Sequence, residues 1–528
     1  MPFCHANTRC AAALTLALLL AALAGCVRPG PRPPDLPQPT RPGLDGAGDS
    51  APLTATTSSA PLIAQLGTPV PVYGAVPTPD APHYEVNPNT VGTTTGSHTV
   101  VVGETLGTIA QRYGTTVEEL ISLNDLTNPD VINVGAQLQV PGATIEQVIG
   151  PDFKIIPDSE LVYGPAAAGF DTRAFLEGLG GRVVGFTESV EGQMMTGPDI
   201  VQLVADRYSI NPRLLLAVLE HQSGWVSQAS PPQRPSLLGH SGTGASSLYI
   251  QLGWAANLLN LGYYGRSEGG LRSFNLGEDA QVTVAPAVND GTAGVQRFFA
   301  AVDGATLNAW QQDVGPDGLH ATYNRLFGNP FAYTYEPILP PDVLQPPLEL
   351  PWQEGETWYY TGGPHGAWNT GSAWGALDFV PEAEQAGCVQ TDAWVTAMAP
   401  GVVTRSGHGA VVVDLDTGAN QSDSYAGTLW AITYMHLEAR DRVPVGTRVA
   451  TGDRLGHPSC EGGFSNGTHV HVVRSFNGRW ISADGALPFE MGGWVSAGAG
   501  AEYDGYLTKG NVTKGACVCR EEVNSITR

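Results

Sequence analysis

The sequence predicts a multidomain protein in which a small βααβ unit and a mostly α-helical middle domain precede an all-β C-terminal domain. Three observations lead to this fold class. The chain has 528 residues, more than a single hydrophobic core usually supports. Apolar residues recur at helical spacing in two separate stretches before residue 345. The stretch that follows consists of strand-like runs broken by Gly and Asp turns.

The N-terminal stretch indicates the compartment. An apolar run at 11–23 follows Arg9 and is too short to span a bilayer permanently, so residues 1–25 predict a signal peptide. The small residues directly before Cys26 resemble a bacterial lipobox. This resemblance implies lipidation of Cys26 and attachment to a membrane. An ordinary signal peptide with an incidental cysteine is the alternative.

The composition of residues 26–95 differs from that of the folded domains, and the net charge of the chain argues against one class of partner. Residues 26–95 are rich in Pro, Ala, Thr and Gly and predict a linker that holds the domains away from a membrane. The formal net charge of −24 would repel the phosphates of a nucleic acid. Nucleic acid is therefore excluded as an expected partner.

Residues 96–142 have the pattern of the small βααβ unit. Apolar residues occur at helical spacing from Leu106 to Tyr113 and again from Val117 to Ile121, and "AQLQVP" predicts the closing strand. The phrases "GETLGTIAQRYG" and "INVGAQLQVPG" resemble a LysM module, a family that binds glycans containing N-acetylglucosamine. The segment is therefore expected to be a glycan-binding domain.

The LysM resemblance implies that glycan binds in a groove between the loop at 103–106 and the loop at 131–134. The candidate glycan-binding residues in these loops are Gly103, Glu104, Thr105, Leu106, Ile132 and Asn133. The alternative is that these residues only build the small core. That alternative suits the apolar residues better than it suits Glu104 or Thr105.

Residues 150–345 predict a mostly helical domain. Thr196 and Asp199 have the spacing of a capping box at the start of one helix. Asn211 and Pro212 predict the start of a second helix, and Gly224 predicts its end. Because this second helix is apolar almost all round, we expect it to be buried.

Glu220 is the candidate catalytic residue of the helical domain. It lies in the last turn of the buried helix, where desolvation and the negative end of the helix dipole are expected to raise its pKa, as a general acid in glycoside cleavage requires. "LLLAVLEHQSG" and "SSLYIQL" resemble lytic transglycosylases and goose-type lysozymes, which implies a lysozyme-like domain with Glu220 as the acid. The sequence departs from that pattern at His221, Gln222 and Tyr249-Ile250. A spacer or binding domain in which Glu220 only caps or pairs is the alternative.

Residues 350–500 combine an all-β pattern with a concentration of histidines. Six of the twelve histidines of the chain lie here: His365, His408, His436, His457, His469 and His471. In the strand-like "GTHVHVV", alternation directs His469 and His471 to the same face. A hydrolytic zinc site needs three protein ligands and one open position for water, and imidazole is a common ligand. The cluster therefore predicts a zinc site.

This C-terminal domain resembles the lysostaphin/LytM-type zinc endopeptidases, which cut peptide cross-bridges of peptidoglycan. The resemblance is carried by "ALDF", "APGVV", "TYMHL", "VPVGTRVATGDRLG" and "GTHVHVV", in the order of that family. It implies a β-sandwich of the duplicated hybrid motif type, with Asp378 and His471 as zinc ligands. It also implies that His436 and His469 act beside the metal, one as general base on water and the other in steadying the oxyanion.

One position departs from the family pattern. The family places its first histidine ligand four residues before the aspartate, where this chain has Trp374, whose indole offers no lone pair to a metal. We predict that His365, in "TGGPHGAW", is the third ligand because a Gly/Pro turn could bring it into place. His408 is the second choice for the third ligand, but its position in a predicted hairpin turn favours a surface residue instead. Without a third ligand the site would not hold zinc firmly, and the domain would be a degenerate member of this family.

The cysteines beyond residue 26 are expected to form disulfides. They are Cys388, Cys460, Cys517 and Cys519. Four cysteines allow three pairings, and Cys388 with Cys460 is favoured because both lie in the domain that carries the histidines. Zinc ligation by Cys517 and Cys519 is the rival interpretation. The tail at 501–528 is expected to pack back onto the β domain.

The leading interpretation is a zinc-dependent endopeptidase that hydrolyses peptide cross-links of peptidoglycan. In this interpretation the LysM module grips glycan, and the protein is extracytoplasmic, anchored to the cell membrane through lipidated Cys26 and facing the cell wall. One alternative is a non-catalytic lipoprotein that binds the wall or activates a hydrolase. The other is a bifunctional enzyme with muramidase or lytic transglycosylase activity at Glu220.

Overall fold

The computed structural model describes residues 96–100, 105–113, 115–124, 126, 132, 136–140, 146–167, 169–241, 244–277, 280–382, 387–415 and 429–528. The expected signal peptide at 1–25 and the linker at 26–95, which includes Cys26, lie outside the described residues. Within the described part, no helix is both long and apolar enough to cross a membrane.

The first described domain contains two strands and two helices. Its elements are β1 (Gly96–Thr99), α1 (Leu106–Arg112), α2 (Val117–Leu123) and β2 (Gln137–Val140). β1 and β2 pair antiparallel, and the apolar side chains of the domain form a core of their own. The side chain of Asn124, just after α2, donates to the carbonyl of Gln139 at 2.6 Å and so fastens α2 to β2. The predicted βααβ order is observed.

The middle domain is mostly helical. Its elements are β3 (Glu146–Ile149), α3 (Thr172–Leu179), β4 (Thr187–Val190), β5 (Gln193–Thr196), α4 (Gly197–Tyr208), α5 (Pro212–Ser223), α6 (Leu248–Ser267), β6 (Ser273–Leu276), β7 (Ala280–Thr283), α7 (Asp290–Ala300), α8 (Leu307–Asp313) and α9 (Leu319–Phe327). β3, β7 and β6 form a small sheet in that order, and β4 and β5 form a hairpin.

Both ends of α5 lie where the sequence places them. The Asn211 side chain accepts from the backbone N–H of Arg213 at 2.9 Å, and Gly224 ends the helix in a left-handed conformation with φ of 69°. At α4 the expected capping box is not formed. Thr196 occupies the N-cap, but its hydroxyl donates to the Asp199 carboxylate at 2.6 Å and makes no bond to a backbone N–H.

The C-terminal domain is built from strands. They are β8 (Thr357–His365), β9 (Ala376–Pro381), β10 (Val395–Thr396), β11 (Gly401–Gly407), β12 (Ala410–Leu415), β13 (Trp430–Met435), β14 (Arg448–Val449), β15 (Arg454–Gly456), β16 (Val470–Phe476), β17 (Arg479–Trp480), β18 (Glu490–Met491), β19 (Trp494–Gly498), β20 (Gly505–Lys509), β21 (Val512–Gly515) and β22 (Ser525–Thr527).

A nine-stranded antiparallel sheet forms the centre of this domain. The strand order is β14-β11-β12-β13-β16-β9-β8-β22, and β17 pairs with β16 outside this path. A second sheet joins β18, β19, β20 and β21. The residues at 501–528 therefore do pack back onto the domain, because β22 extends the central sheet along β8.

The two faces of the central sheet belong to different hydrophobic cores. On β9 and β16, Leu377 and Val472 belong to the core of the β domain itself. Their neighbours Ala376 and Val473 belong to the core of the helical domain. Because strand side chains alternate between faces, the helical domain covers one face of the sheet.

Candidate metal centre

Strand pairing brings the predicted ligands together at one end of the central sheet. Asp378 of β9 lies directly opposite His471 of β16. On β8, the register shifts between Tyr360 and Gly362 and again between Gly362 and His365, and these irregularities bring His365 opposite Ala376. The Gly-Gly-Pro sequence thus brings His365 next to Asp378 and His471.

The ligand atoms of the three residues have the spacing that zinc requires. His365 Nε2 lies 3.0 Å from His471 Nδ1, and Asp378 Oδ1 lies 3.3 Å from the former and 3.2 Å from the latter. A tetrahedral zinc ion bound at its usual distances of ~2.0–2.2 Å needs ligand atoms about 3.3 Å apart. All three residues are buried, so their positions are fixed by packing.

The hydrogen bonds of the two rings leave lone pairs directed at the same point. His365 Nδ1 lies 2.7 Å from the Gly363 carbonyl, and His471 Nε2 lies 3.1 Å from the Ala367 carbonyl. Because a carbonyl only accepts, each ring donates its N–H there, which leaves the facing nitrogens as acceptors. Asp378 Oδ1 is also buried without a hydrogen-bond donor among the described residues. Three converging acceptors repel one another, and a cation would relieve that repulsion.

The charges of the site favour the ionised carboxylate. Burial opposes ionisation of Asp378, but the neighbouring His365 and His469 hold the pKa of its carboxyl well below the usual range. Burial lowers the pKa of His471, which favours its neutral form. Burial would also lower the pKa of His365, but the Asp378 carboxylate raises it overall. A metal ion competes with that proton for the ring.

His436 and His469 lie beside the three candidate ligands. Their ring centroids are 4.3 Å apart, and His469 Nε2 lies 3.7 Å from Asp378 Oδ1. The Nδ1 atoms face the carbonyls of Glu461 at 2.9 Å and Gly467 at 2.8 Å, which leaves Nε2 of each ring as the acceptor. Burial and the two neighbouring histidines lower the pKa of His436 to about 3, so this ring is neutral.

Tyr503, from the C-terminal tail, is a site residue that sequence reasoning missed. Its ring stacks on His365 with centroids 4.2 Å apart and planes 19° apart. Its carbonyl accepts from the Gly363 backbone at 2.8 Å, so the tail also holds the strand end that carries His365. No motif pointed to this residue, because it lies in the loop between β19 and β20, far along the chain from His365.

Trp374 and the second-choice residue His408 both lie outside the group of residues that could hold a metal ion. Trp374 is 1% exposed and packs in the domain interior. His408 lies in the turn between β11 and β12, outside the cluster of His365, Asp378 and His471, which is the potential metal-binding group found among the described residues.

Both cysteine pairs are disulfides. Cys388 and Cys460 are joined with an S–S distance of 2.05 Å, the pairing that the sequence favours. This bond links two loops that flank the histidines, since Glu461 holds His436 through its carbonyl. Cys517 and Cys519 are also joined to each other. The zinc-ligation interpretation for them is therefore wrong, because a disulfide has no thiolate to offer a metal.

Glu220 lies in the helical domain, where its carboxylate is fully engaged. Oε2 accepts from the backbone N–H groups of Val226 at 3.1 Å and Ser227 at 2.9 Å. Oε1 accepts from the Ser227 hydroxyl at 2.5 Å and from Arg325 at 3.2 Å. The side chain thus anchors the loop after α5. Its role as a catalytic acid stays a prediction.

The glycan-binding candidates are only partly within the described residues. Thr105 is exposed, Ile132 packs partly against the small core, and Leu106 is a core residue with 4% of its surface exposed. Gly103, Glu104 and Asn133 lie outside the described residues.

Two family models match the chain. Residues 98–141 match the LysM domain, and residues 154–340 match the family described as "LasA, N-terminal domain". Protease LasA of Pseudomonas aeruginosa is 26% identical over 374 residues, which cover 66% of this chain and 78% of that protein. The Secreted LysM effector ECP6 of Passalora fulva is 35% identical over 80 residues, which cover 15% of this chain and 33% of that protein.

Solved structures also match a part of this chain. Pseudoalterin, described as a novel M23 metalloprotease from the deep sea, is 27% identical and covers 35% of this chain and 99% of its own, with a TM-score of 0.28. The catalytic domain of lysostaphin from Staphylococcus simulans is 24% identical and covers 24% of this chain and 89% of its own, with a TM-score of 0.18. Residues 98–141 and 154–340 thus match two family models, and the β domain that follows them carries the motifs that resemble the lysostaphin/LytM type.

Proposed function

We propose that the chain is a zinc-dependent endopeptidase that hydrolyses peptide cross-links of peptidoglycan. The observation that carries the proposal is the convergence of three buried acceptor atoms, from His365, Asp378 and His471, at 3.0 to 3.3 Å from one another. Two neutral imidazoles and one carboxylate are a donor set that suits zinc in hydrolytic sites. The donor set and its spacing therefore fit the metal that the family implies.

The described residues can supply the proton transfers of peptide hydrolysis. Zinc, when bound, supplies a Lewis acid for the scissile carbonyl and a water nucleophile at neutral pH. His436 and His469 keep their Nε2 lone pairs free, because their Nδ1 atoms are held by backbone carbonyls. One of them can take a proton from water, and the imidazolium that forms can donate to the oxyanion or return the proton to the leaving amine.

The remaining domains support action on cell walls. In this proposal the LysM domain holds glycan near the peptidase site, and lipidated Cys26 keeps the protein at the extracytoplasmic side of the membrane. The family match at 98–141 supports the first part. The non-catalytic alternative required a missing third ligand, and the closeness of His365 to Asp378 and His471 favours the catalytic proposal instead.

Metal analysis combined with digestion tests the proposal. The purified protein should contain about one zinc per chain, and mass spectrometry should detect cleaved cross-links after incubation with peptidoglycan. His471→Ala should lose both the metal and the cleavage. His240→Ala, which removes an imidazole from the helical domain, should keep both. A protein that binds no zinc, or that cuts no cross-link when loaded with it, contradicts the proposal.

A further inference from the structure

The β8–β9 loop, residues 366–375, lies between two of the candidate metal ligands and contacts the third. It follows His365, the last residue of β8, and leads into β9, which carries Asp378. The carbonyl of Ala367, in this loop, accepts from His471 Nε2 at 3.1 Å. The position of one loop therefore bears on all three candidate ligands.

Hydrogen bonds within the β8–β9 loop make it a compact turn. The backbone N–H of Ala367 donates to the Ala373 carbonyl at 2.9 Å. The backbone N–H of Trp368 donates to the Ser372 hydroxyl at 2.9 Å, and that hydroxyl donates to the Asn369 carbonyl at 2.7 Å. Because these bonds cross the loop, a displacement of its tip also moves the Ala367 carbonyl.

The tip of the β8–β9 loop is held by α6 of the helical domain. Asn257 Oδ1 accepts from the backbone N–H of Gly371 at 2.8 Å, and Asn257 Nδ2 lies 3.4 Å from Thr370 Oγ1. A Cβ at Gly371 would lie 2.1 Å from the Asn257 carbonyl oxygen, so the two backbones approach more closely than a side chain would allow. The Asn257 side chain thus fixes the distance between the loop and α6.

The base of the β8–β9 loop also packs into the helical domain. Ala367 and Ala373 belong to the hydrophobic core of that domain. The guanidinium of Arg207, on α4, lies over the Trp368 ring at 4.8 Å from its centroid. A loop that belongs to the β domain by sequence is therefore positioned by the helical domain.

The Ala367 carbonyl decides which nitrogen of His471 can bind a metal. A neutral imidazole carries one N–H, and the other nitrogen offers the lone pair. Here Nε2 donates to Ala367, and the acceptor nitrogen Nδ1 lies 3.2 Å from Asp378 Oδ1. If the loop moves and the carbonyl withdraws, the proton can occupy Nδ1 and donate to the Asp378 carboxylate instead. That tautomer has no lone pair at the metal-binding position.

We propose that Asn257 is a positioning residue of the candidate metal centre, because it holds the β8–β9 loop on α6 so that Ala367 keeps the proton of His471 on Nε2. The helical domain thereby contributes to metal affinity from outside the ligand set. Because linkage is reciprocal, a bound ion also strengthens the attachment of the loop to the helical domain. The inference rests on the proposed function, since the ion is taken to be zinc.

Zinc affinity tests this role in the full chain. Asn257→Ala should raise the zinc dissociation constant about tenfold in competition with a chromogenic chelator, as when a group that supports a metal ligand is lost. Asn257→Asp keeps an acceptor for the Gly371 N–H and should stay within about threefold of wild type. Asn289→Ala is the matched control. The Asn289 side chain donates to the Ile156 carbonyl at 2.8 Å within the helical domain, so this variant should lower the unfolding midpoint and leave zinc affinity unchanged.

The tautomer of His471 gives a second measurement that needs no metal. In the metal-free wild type, nitrogen-15 NMR of the histidine rings should place the His471 proton on Nε2, and in Asn257→Ala a measurable share should move to Nδ1. This difference in a protein that binds no zinc would reject the proposed function and keep the positioning role. Gly371→Ala, which pushes the loop away from α6, should shift the tautomer in the same way and carries the test if Asn257→Ala does not fold. Folded variants whose His471 tautomer is unchanged overturn the proposal, whatever their zinc affinity.

Discussion

At the scale of single residues, the candidate metal centre depends on groups that carry no metal-binding chemistry. Gly362 lies opposite Asp378 on β8, and a Cβ there would meet Asp378 Oδ2 at 2.7 Å. The carbonyls of Gly363 and Ala367 set which nitrogen of each ligand ring is free. The geometry of the three candidate ligands therefore depends on a close backbone approach as much as on the three side chains themselves.

Gly362→Ala should weaken zinc binding without removing a ligand. The new methyl group would displace the Asp378 carboxylate, so the zinc dissociation constant should rise about 10–100-fold, as when groups that support metal ligands are altered. Competition with a chromogenic chelator measures this constant. Gly178→Ala is the matched control, because its Cβ meets nothing within 4 Å. Equal zinc affinity in the two variants would contradict the steric argument.

Glu220→Gln should destabilise the helical domain. The carboxylate accepts from two backbone N–H groups, the Ser227 hydroxyl and Arg325, and an amide cannot replace all of these interactions. Loss of charged hydrogen bonds of this kind costs about 2 kcal/mol, which urea unfolding measures.

The same variant addresses the muramidase alternative. Peptide cleavage should be unchanged in Glu220→Gln. Glu177→Gln, at an exposed glutamate of α3, is the control for the unfolding measurement. Purified glycan strands that are cut by wild type but not by Glu220→Gln would support a catalytic acid at this position.

At the scale of secondary-structure elements, the sequence predicted strands and turns better than it predicted where a strand changes register. The two facing histidines of "GTHVHVV" and the aspartate of "ALDF" follow from alternation and motif order, and the paired strands bring Asp378 opposite His471. The position of His365 depends on two register shifts within β8, which no periodicity encodes. Tyr503 could not be predicted because its contact depends on how a distant tail folds back.

The disulfide between Cys388 and Cys460 should contribute substantially to the stability of the loops around the histidines. It closes a long loop, with a sequence separation of 72 residues, so the loop-entropy model assigns it about 4 kcal/mol. Replacing both cysteines by serine should lower the free energy of unfolding by ~2–4 kcal/mol in denaturant titration. The double serine variant of Cys517 and Cys519 is the control, because their separation of 2 residues constrains the unfolded chain far less. Equal losses in the two variants would contradict the loop-size argument.

At the scale of the whole molecule, the described domains differ in how independent they are. The helical and β domains share the central sheet, one face for each core. The small N-terminal domain instead closes a core from its own residues, such as Ile109, Leu120 and Val140. The described contacts thus predict a peptidase unit made of two domains and a separately folded glycan-binding module.

Deletion of residues 96–142 should therefore affect wall digestion and spare the chemistry. A module that grips glycan raises the local concentration of the peptidase unit at the wall, an effect that can reach 10²-fold or more without any new contact at the active site. We expect cleavage of intact peptidoglycan sacculi to fall at least about tenfold, while kcat/KM on soluble cross-linked muropeptide dimers stays within twofold. Zinc content and the unfolding midpoint of the remaining domains should match wild type, since the deleted core is self-contained. A parallel loss on sacculi and on soluble dimers would mean that the small domain contributes to the active site itself.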